Sequence, residues 1–201
     1  MAELTKSMGR PREFDIEKAL NTAADLFWRN GYDGTSLSDL TGAIGITPPS
    51  FYSAFKSKEA LFKQVVDRYQ SGHLGFLAEA FNQRTPLAVA ERMLYGLADA
   101  YTSKSHPPGC LVLNSSLPCV DNSEDSIRND LAELRKAGRI ELRKRFKRFK
   151  SSGALPADAD PDALAQYVLT VAWGLAVAAQ SGASRDDLHG TVKLALKSWP
   201  A

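Results

Sequence analysis

Side chains able to do chemistry are concentrated in the stretch 35–61, which reads TSLSDLTGAIGITPPSFYSAFKSKEAL. Ser36 followed three residues later by Asp39 fits a capping box, and Gly45 makes a tight turn. Thr47 offers its hydroxyl to the orphan N–H groups of a helix opening at Pro48, where a missing N–H costs nothing. Pro49 pushes Pro48 away from helical geometry. It also leaves a helix N-terminus of compact, rigid side chains, suited to close approach to base edges or a thymine methyl group. Phe51 and Phe55, four apart, share one face and anchor this helix to its neighbours. Ser50, Tyr52, Ser53 and Ala54 do not all fit on that face, so several point outward.

Nothing comparable points to catalysis. His73, His106 and His189 are far apart and lack ligand spacing, and no nucleophile elbow, phosphate loop or dinucleotide fingerprint occurs. Cys110 and Cys119 are too few for a disulfide framework and have no paired zinc-ligand spacing. Neither a metal, a cofactor nor an enzymatic activity is expected. Cys110 falls just past a helix start after Pro107-Pro108-Gly109, a place that can make a thiol reactive. A thiol sensor at Cys110, with Cys119 as resolving partner, stands beside the commoner case of a small buried cysteine.

The elements that position these residues are helical almost throughout, giving an all-α expectation. Asp15 caps a first helix with Ile16, Leu20, Ala23 and Phe27 inside, stopped by Asn30-Gly31. Thr35 or Ser36 opens a second helix with Leu37, Leu40 and Ile44 inside, and a third covers roughly 48–54. Ser57 caps a fourth, lined by Leu61, Phe62, Val65, Val66 and Tyr69 and loosened by Gly72 and Gly75. Further helices are predicted at about 86–104, 123–150, 161–181 and 184–198. Cys110-Leu111-Val112-Leu113 is locally ambiguous. The division expected is an N-terminal arm and helix-turn-helix over 1–56 and a larger helical domain over 57–201.

Composition supports a soluble chain with a sizeable core: of 201 residues, 44% are hydrophobic and 24% charged. The formal net charge is only +2, yet residues 128–150 hold ten Lys/Arg against three Asp/Glu. That run reads as a solvated face, or as arginines at a pocket mouth attracting an anionic inducer. The chain opens without a basic-then-apolar leader. The most apolar stretch, Val168 to Ala179, falls short of the about 20 residues a bilayer needs. A cytoplasmic protein without a membrane partner is expected.

The stretch 13–66 resembles the DNA-binding domain of the TetR-type transcriptional regulators. Gly31-Tyr32, Thr35, Leu40, Gly45-Ile46-Thr47, Phe51-Tyr52, Phe55 and Lys56-Ser57-Lys58-Glu59-Ala60-Leu61 carry the resemblance. It implies a homodimer that sets two third helices in successive major grooves of a palindromic operator, about 34–36 Å apart. Pro48, Pro49, Ser50 and Ser53 are implied to face bases, and Thr35, Thr47, Tyr52, Lys56 and Lys58 to hold phosphates. Arg10 and Arg12 are implied to reach backbone or minor groove. The resemblance further implies release by a small-molecule effector held in the helical domain.

The C-terminal two-thirds matches that family only in helical character and length. Helix 161–181 is apolar on nearly every face and, with 184–198, resembles the family's four-helix dimer interface. Tyr167, Val168, Val171, Ala172, Leu175, Ala179, Leu188, Val192 and Ala195 are its candidate residues, with plain intrachain core as the other possibility. Candidate pocket residues are Phe76, Met93, Tyr95, Tyr101, Cys110, Leu113, Phe146 and Trp173. Along 123–150, Ile127, Leu131, Leu134, Gly138, Leu142, Phe146 and Phe149 form one inner stripe, where Gly138 can mark the approach of a ligand or backbone. A ligand-responsive repressor leads. Open beside it are a helical interaction protein, a DNA-binding protein without sequence preference, and a hairpin that merely packs.

Overall fold

The computed structural model describes residues 15–116 and 126–200, and among them the chain forms ten α-helices and no strand. Each of the first four helices begins where a side chain can satisfy its orphan N–H groups. Asp15 accepts from the Lys18 N–H at 3.1 Å to open α1 (Ile16–Asn30). Ser36 and Asp39 close the full capping box of α2 (Leu37–Ile44), with the Asp39 N–H to Ser36 Oγ at 3.1 Å and the Ser36 N–H to the Asp39 carboxylate at 2.8 Å. Thr47 opens α3 (Pro48–Phe55), and Ser57 accepts from the Ala60 N–H at 3.0 Å to open α4 (Lys58–Arg68).

The fourth helix loosens as its glycines predict. At Tyr69–His73 it widens into a π-helical turn, with the Leu74 N–H donating to the Tyr69 carbonyl at 3.0 Å, before a short α5 (Leu77–Phe81). Then follow α6 (Pro86–Tyr101), α7 (Leu111–Asn114), α8 (Ser126–Ser151), α9 (Pro161–Gln180) and α10 (Arg185–Lys197). Cys110 is extended and α7 is a single turn, which resolves the ambiguity there. Of the expected 123–150 helix, residues 123–125 lie outside the described residues.

Two packed regions share one core. Around α1–α3, Ala23, Phe27, Leu40, Phe51 and Phe55 are buried, and Leu61, Phe62 and Val65 of α4 complete the cluster; Phe27 and Phe62 meet edge to face at 5.0 Å. The second region is built on α9, which packs against α6, α8 and α10. The uninterrupted helix is longer than its most apolar stretch: its 20 residues are long and apolar enough, by length and composition, to cross a membrane. Here it is the central core helix, burying Ala165, Val168, Ala172, Leu175 and Ala179. On α8, Ile127, Leu131, Leu142, Phe146 and Phe149 are buried as the stripe predicts, Leu134 is half-buried, and Gly138 is exposed. The basic charges of α8 lie on its other faces, partly neutralised by Lys136–Glu133, Arg139–Asp162 and Lys144–Glu141 pairs.

The expected dimer-interface set is corrected by this packing. Val168, Ala172, Leu175, Ala179, Leu188 and Val192 are 0–3% exposed within the single chain, so they are intrachain core. A helix apolar all round gives no sign of which face turns inward. Tyr167, Val171 and Ala195 are half-buried, and the Tyr167 O–H donates to the Ala195 carbonyl at 2.8 Å. The face that α9 and α10 leave uncovered instead carries Thr170, Gly174, Val177, Gly190, Thr191 and Leu194. Val177 is 49% and Leu194 67% exposed.

Candidate nucleic-acid interface

The third helix is held from one side only. Phe51 and Phe55 are buried and pack on each other at 5.4 Å, so Pro48, Pro49, Ser50, Tyr52 and Ser53 are exposed. Tyr52 is half exposed and braced edge-on against Phe51 at 5.8 Å, which holds its phenol outward without a hydrogen bond. Thr47 is both cap and surface group: its Oγ1 accepts from the Ser50 N–H at 3.4 Å and pairs with Ser50 Oγ at 3.0 Å. The helix leaves through Lys56, whose φ of +69° makes it the one non-glycine residue with positive φ among the described residues. The Ser57 N–H donates to the Phe55 carbonyl at 2.8 Å, so Lys56 is the centre of a γ-turn of the rare, strained hand. That turn leaves only Lys56 and Ser57 between α3 and α4 and keeps the exposed Lys56 beside the end of α3.

One expected phosphate contact is placed differently. Thr35 is fully buried, its Oγ1 donating to the Gly31 carbonyl at 2.7 Å, so its side chain ties the α1–α2 turn together and cannot reach a phosphate. A threonine just before a helix reads equally as a surface donor or as a turn tie; only tertiary burial separates the two. Lys58 is half-buried, with Nζ 4.2 Å from the centre of the Tyr32 ring. Arg10 and Arg12, like Cys119, lie outside the described residues.

Behind the interface, a cavity of about 150 Å³ opens between the π-helical turn, α5–α9. Of the candidate pocket residues, Met93, Tyr101, Cys110, Leu113 and Trp173 line it, and Gly138 borders it. Phe76, Tyr95 and Phe146 do not. Phe76 packs on Gly96, Tyr95 lies edge-on to His189 at 4.9 Å, and Phe146 is fully buried against Trp199 at 5.6 Å. Helical period places residues on a face but not along the cavity, which is why these three read as candidates. Gln70, Leu74, Arg135 and Leu169 join the lining; only the π-helical turn, invisible to a 3.6-residue period, brings Gln70 there. Cys110 is a free, buried thiol that accepts from the Tyr69 O–H at 3.4 Å, and burial pushes both the Tyr69 and Tyr101 phenols well above their ordinary range. A wider cleft of about 550 Å³ lies nearer α1, with Asp25, Trp28, Arg68, His73 and His106 on its walls. The smaller cavity has the apolar lining typical of ligand sites.

A one-turn helix connects cavity to interface. Cys110, Val112 and Leu113 face the cavity, while Asn114 at the end of α7 donates from Nδ2 to the Trp28 carbonyl on α1 at 2.7 Å. Gly31, ending α1 with φ +73°, sits so close that a Cβ there would lie 3.0 Å from the Asn114 carbonyl oxygen. Polar ties run from α8 too: Arg128 to Asp33 at 2.8 Å, Lys63 to Asp130 at 2.9 Å and Ser126 to Glu59 at 3.0 Å. Hydrogen bonds that Lys63 donates to the Glu59 and Asp130 carboxylates hold its ammonium above its ordinary range. These ties join the cavity wall and α8 to α1, to the turn that follows it and to α4, and α3 packs on α2 and α4.

Known proteins share this sequence pattern and fold. The sequence profile of bacterial regulatory proteins of the tetR family matches residues 19–65, from within α1 to within α4. The HTH-type transcriptional repressor ComR of Escherichia coli strain K12 is 33% identical over 97% of this chain and 93% of its own length. A cysteine-substituted form of the TetR family regulator CifR, solved with 26-base-pair operator DNA, is 36% identical and superposes with a TM-score of 0.86 over 95% of this chain and all of its own. A TetR regulator from Rhodococcus sp. RHA1 is 40% identical, with a TM-score of 0.63 over 90% of this chain and 97% of its own. A helix held from behind by two phenylalanines, on a helical body matched from end to end by such regulators, settles the assignment: this chain belongs to the tetR family of bacterial regulatory proteins and is a DNA-binding transcriptional regulator, not an enzyme.

Proposed function

We propose that this chain is a cytoplasmic, ligand-released repressor that binds a palindromic operator as a homodimer. The observation that carries this is the outward row Pro48, Pro49, Ser50, Tyr52 and Ser53 on a helix whose other side is fixed by Phe51 and Phe55. Pro48, Pro49, Ser50 and Ser53 meet base edges in the major groove, and Thr47, Tyr52, Lys56 and Lys58 meet phosphates. Phosphate contacts set affinity and its salt dependence, while the few base contacts set sequence preference. A second copy covers the open face of α9 and α10, where the small residues Gly174 and Gly190 admit a close helix approach and Val177 and Leu194 supply apolar area. An effector in the cavity favours the arrangement of α7 that misaligns the two α3 helices, a shift that needs tighter binding to the DNA-free state.

Selection of sites from a random DNA pool tests the reading. The parent protein is expected to enrich a palindrome, and a Tyr52→Ala, Ser50→Ala double variant is expected to enrich none while keeping the parent's unfolding curve. A parent that enriches no sequence would overturn gene-specific recognition and favour DNA binding without sequence preference.

A further inference from the structure

The arginines of α8 differ in what they face. Arg128 pairs with Asp33, Arg139 with Asp162, and Arg145 donates to the Gln83 carbonyl at 2.7 Å. Arg135 has no carboxylate or carbonyl partner among the described residues, and its Nη1 is buried with no hydrogen bond. An N–H group kept from water without an acceptor, as at Nη1 of the half-buried Arg135, is an unfavourable arrangement, tolerated where something else supplies the acceptor. Arg135 lines the cavity of about 150 Å³ and, among the described residues, is the one charged side chain on its wall. Burial holds the guanidinium below its ordinary range, as expected for a cation without a counter-ion. The rest of the lining is mainly apolar, including Met93, Leu97, Leu113, Leu169 and Trp173. A cavity of roughly 150 Å³ with apolar walls holds a body the size of one benzene ring.

We infer that the effector of this regulator is a monocarboxylate with an apolar body about the size of one aromatic ring, its carboxylate paired with Arg135. The inference rests on the effector-released reading above and narrows it to a ligand class. One guanidinium matches one carboxylate, in a bidentate pair that a neutral amide cannot copy. With no second cation among the described residues of the wall, a dicarboxylate or phosphate ester would carry charge left unmatched. The walls exclude a bare anion such as acetate from effective binding, because too little apolar surface leaves water.

Calorimetric titration of the full-length protein with benzoate, benzamide and acetate tests this, alongside Arg135→Met. Benzoate is expected to bind at least about ten-fold more tightly than benzamide or acetate. Arg135→Met is expected to lose that preference while unfolding at or above the parent's temperature, because it removes a half-buried cation with an unsatisfied Nη1. Equal binding of benzoate and benzamide, undiminished benzoate binding by Arg135→Met, or no benzoate binding overturns the ligand class. A parallel operator-release assay separates the two levels. Arg135-dependent benzoate binding that leaves the operator complex intact upholds the ligand class and refutes release, whereas release by a neutral compound alone does the reverse.

Discussion

Gly31→Ala is the sharpest test of the link between the cavity and the DNA-reading helices. Gly31 has φ +73° and ψ 175°, a region nearly closed to residues with a Cβ, and forcing alanine there costs of order 1–3 kcal/mol. The added Cβ would lie 3.0 Å from the Asn114 carbonyl oxygen, tighter than ordinary contact, so α7 must shift from α1. That shift lengthens the 2.7 Å bond from Asn114 Nδ2 to the Trp28 carbonyl, a neutral bond with a net contribution of about 1 kcal/mol. The combined loss is about 2–4 kcal/mol, or a fall in melting temperature of roughly 5–15 °C for a chain of this size. Thermal and urea unfolding at one fixed protein concentration measure it, since dimerisation makes stability concentration-dependent. Gly42→Ala is the control: that glycine lies inside α2 with nothing within 4 Å of an added Cβ, so it gains up to about 1 kcal/mol. If the contact with α7 is part of the cost, Gly31→Ala and Asn114→Ala are non-additive. Gly31→Ala unfolding within about 0.5 kcal/mol of the parent would refute both the strain and the contact argument.

Further outcomes follow from single residues. Thr35→Val lowers stability by about 1–3 kcal/mol through the unpaired Gly31 carbonyl, yet leaves the salt dependence of operator binding unchanged; a slope smaller by about one would restore Thr35 as a phosphate contact. Tyr52→Ala weakens operator binding and changes stability by no more than about 0.5 kcal/mol, as befits an exposed side chain, and unfolding with a gel-shift titration distinguishes the two effects. Burial, reinforced by His106, holds the His73 imidazole below its ordinary range. The unfolded chain then binds the proton first, so this group's contribution is present at neutral pH and declines as pH falls below about 6.5. Urea midpoints at about pH 7.5 and about pH 5.5 should diverge less in His73→Phe than in the parent, and equal divergence would exclude His73 as a source. Leu194→Asp shifts sedimentation toward monomer, whereas Val192→Ala lowers stability without that shift; a dimeric Leu194→Asp would place the interface elsewhere.

Local rules made the DNA-reading end legible in the sequence. Asp15, Ser36, Thr47 and Ser57 cap their helices because capping needs only a short polar side chain within three residues of its N–H target. Phe51 and Phe55 turn inward because residues four apart share a helix face, and that alone orients the exposed row on α3. The tertiary structure decided what depends on neighbours distant in sequence. Thr35 became a buried tie because α1 and α2 close over it. Val168 went to the chain's own core rather than an interface because α6 and α8 claim one of several equally apolar faces of α9, and Val192 did so because α10 packs on α6 and α9. Arg135 alone among the described arginines of α8 came to line the cavity, because helix register against α6, α7 and α9, not charge content, determines which side chain meets that space. Spacing along a chain fixes direction around a helix axis, but which direction is inside depends on the elements that pack there.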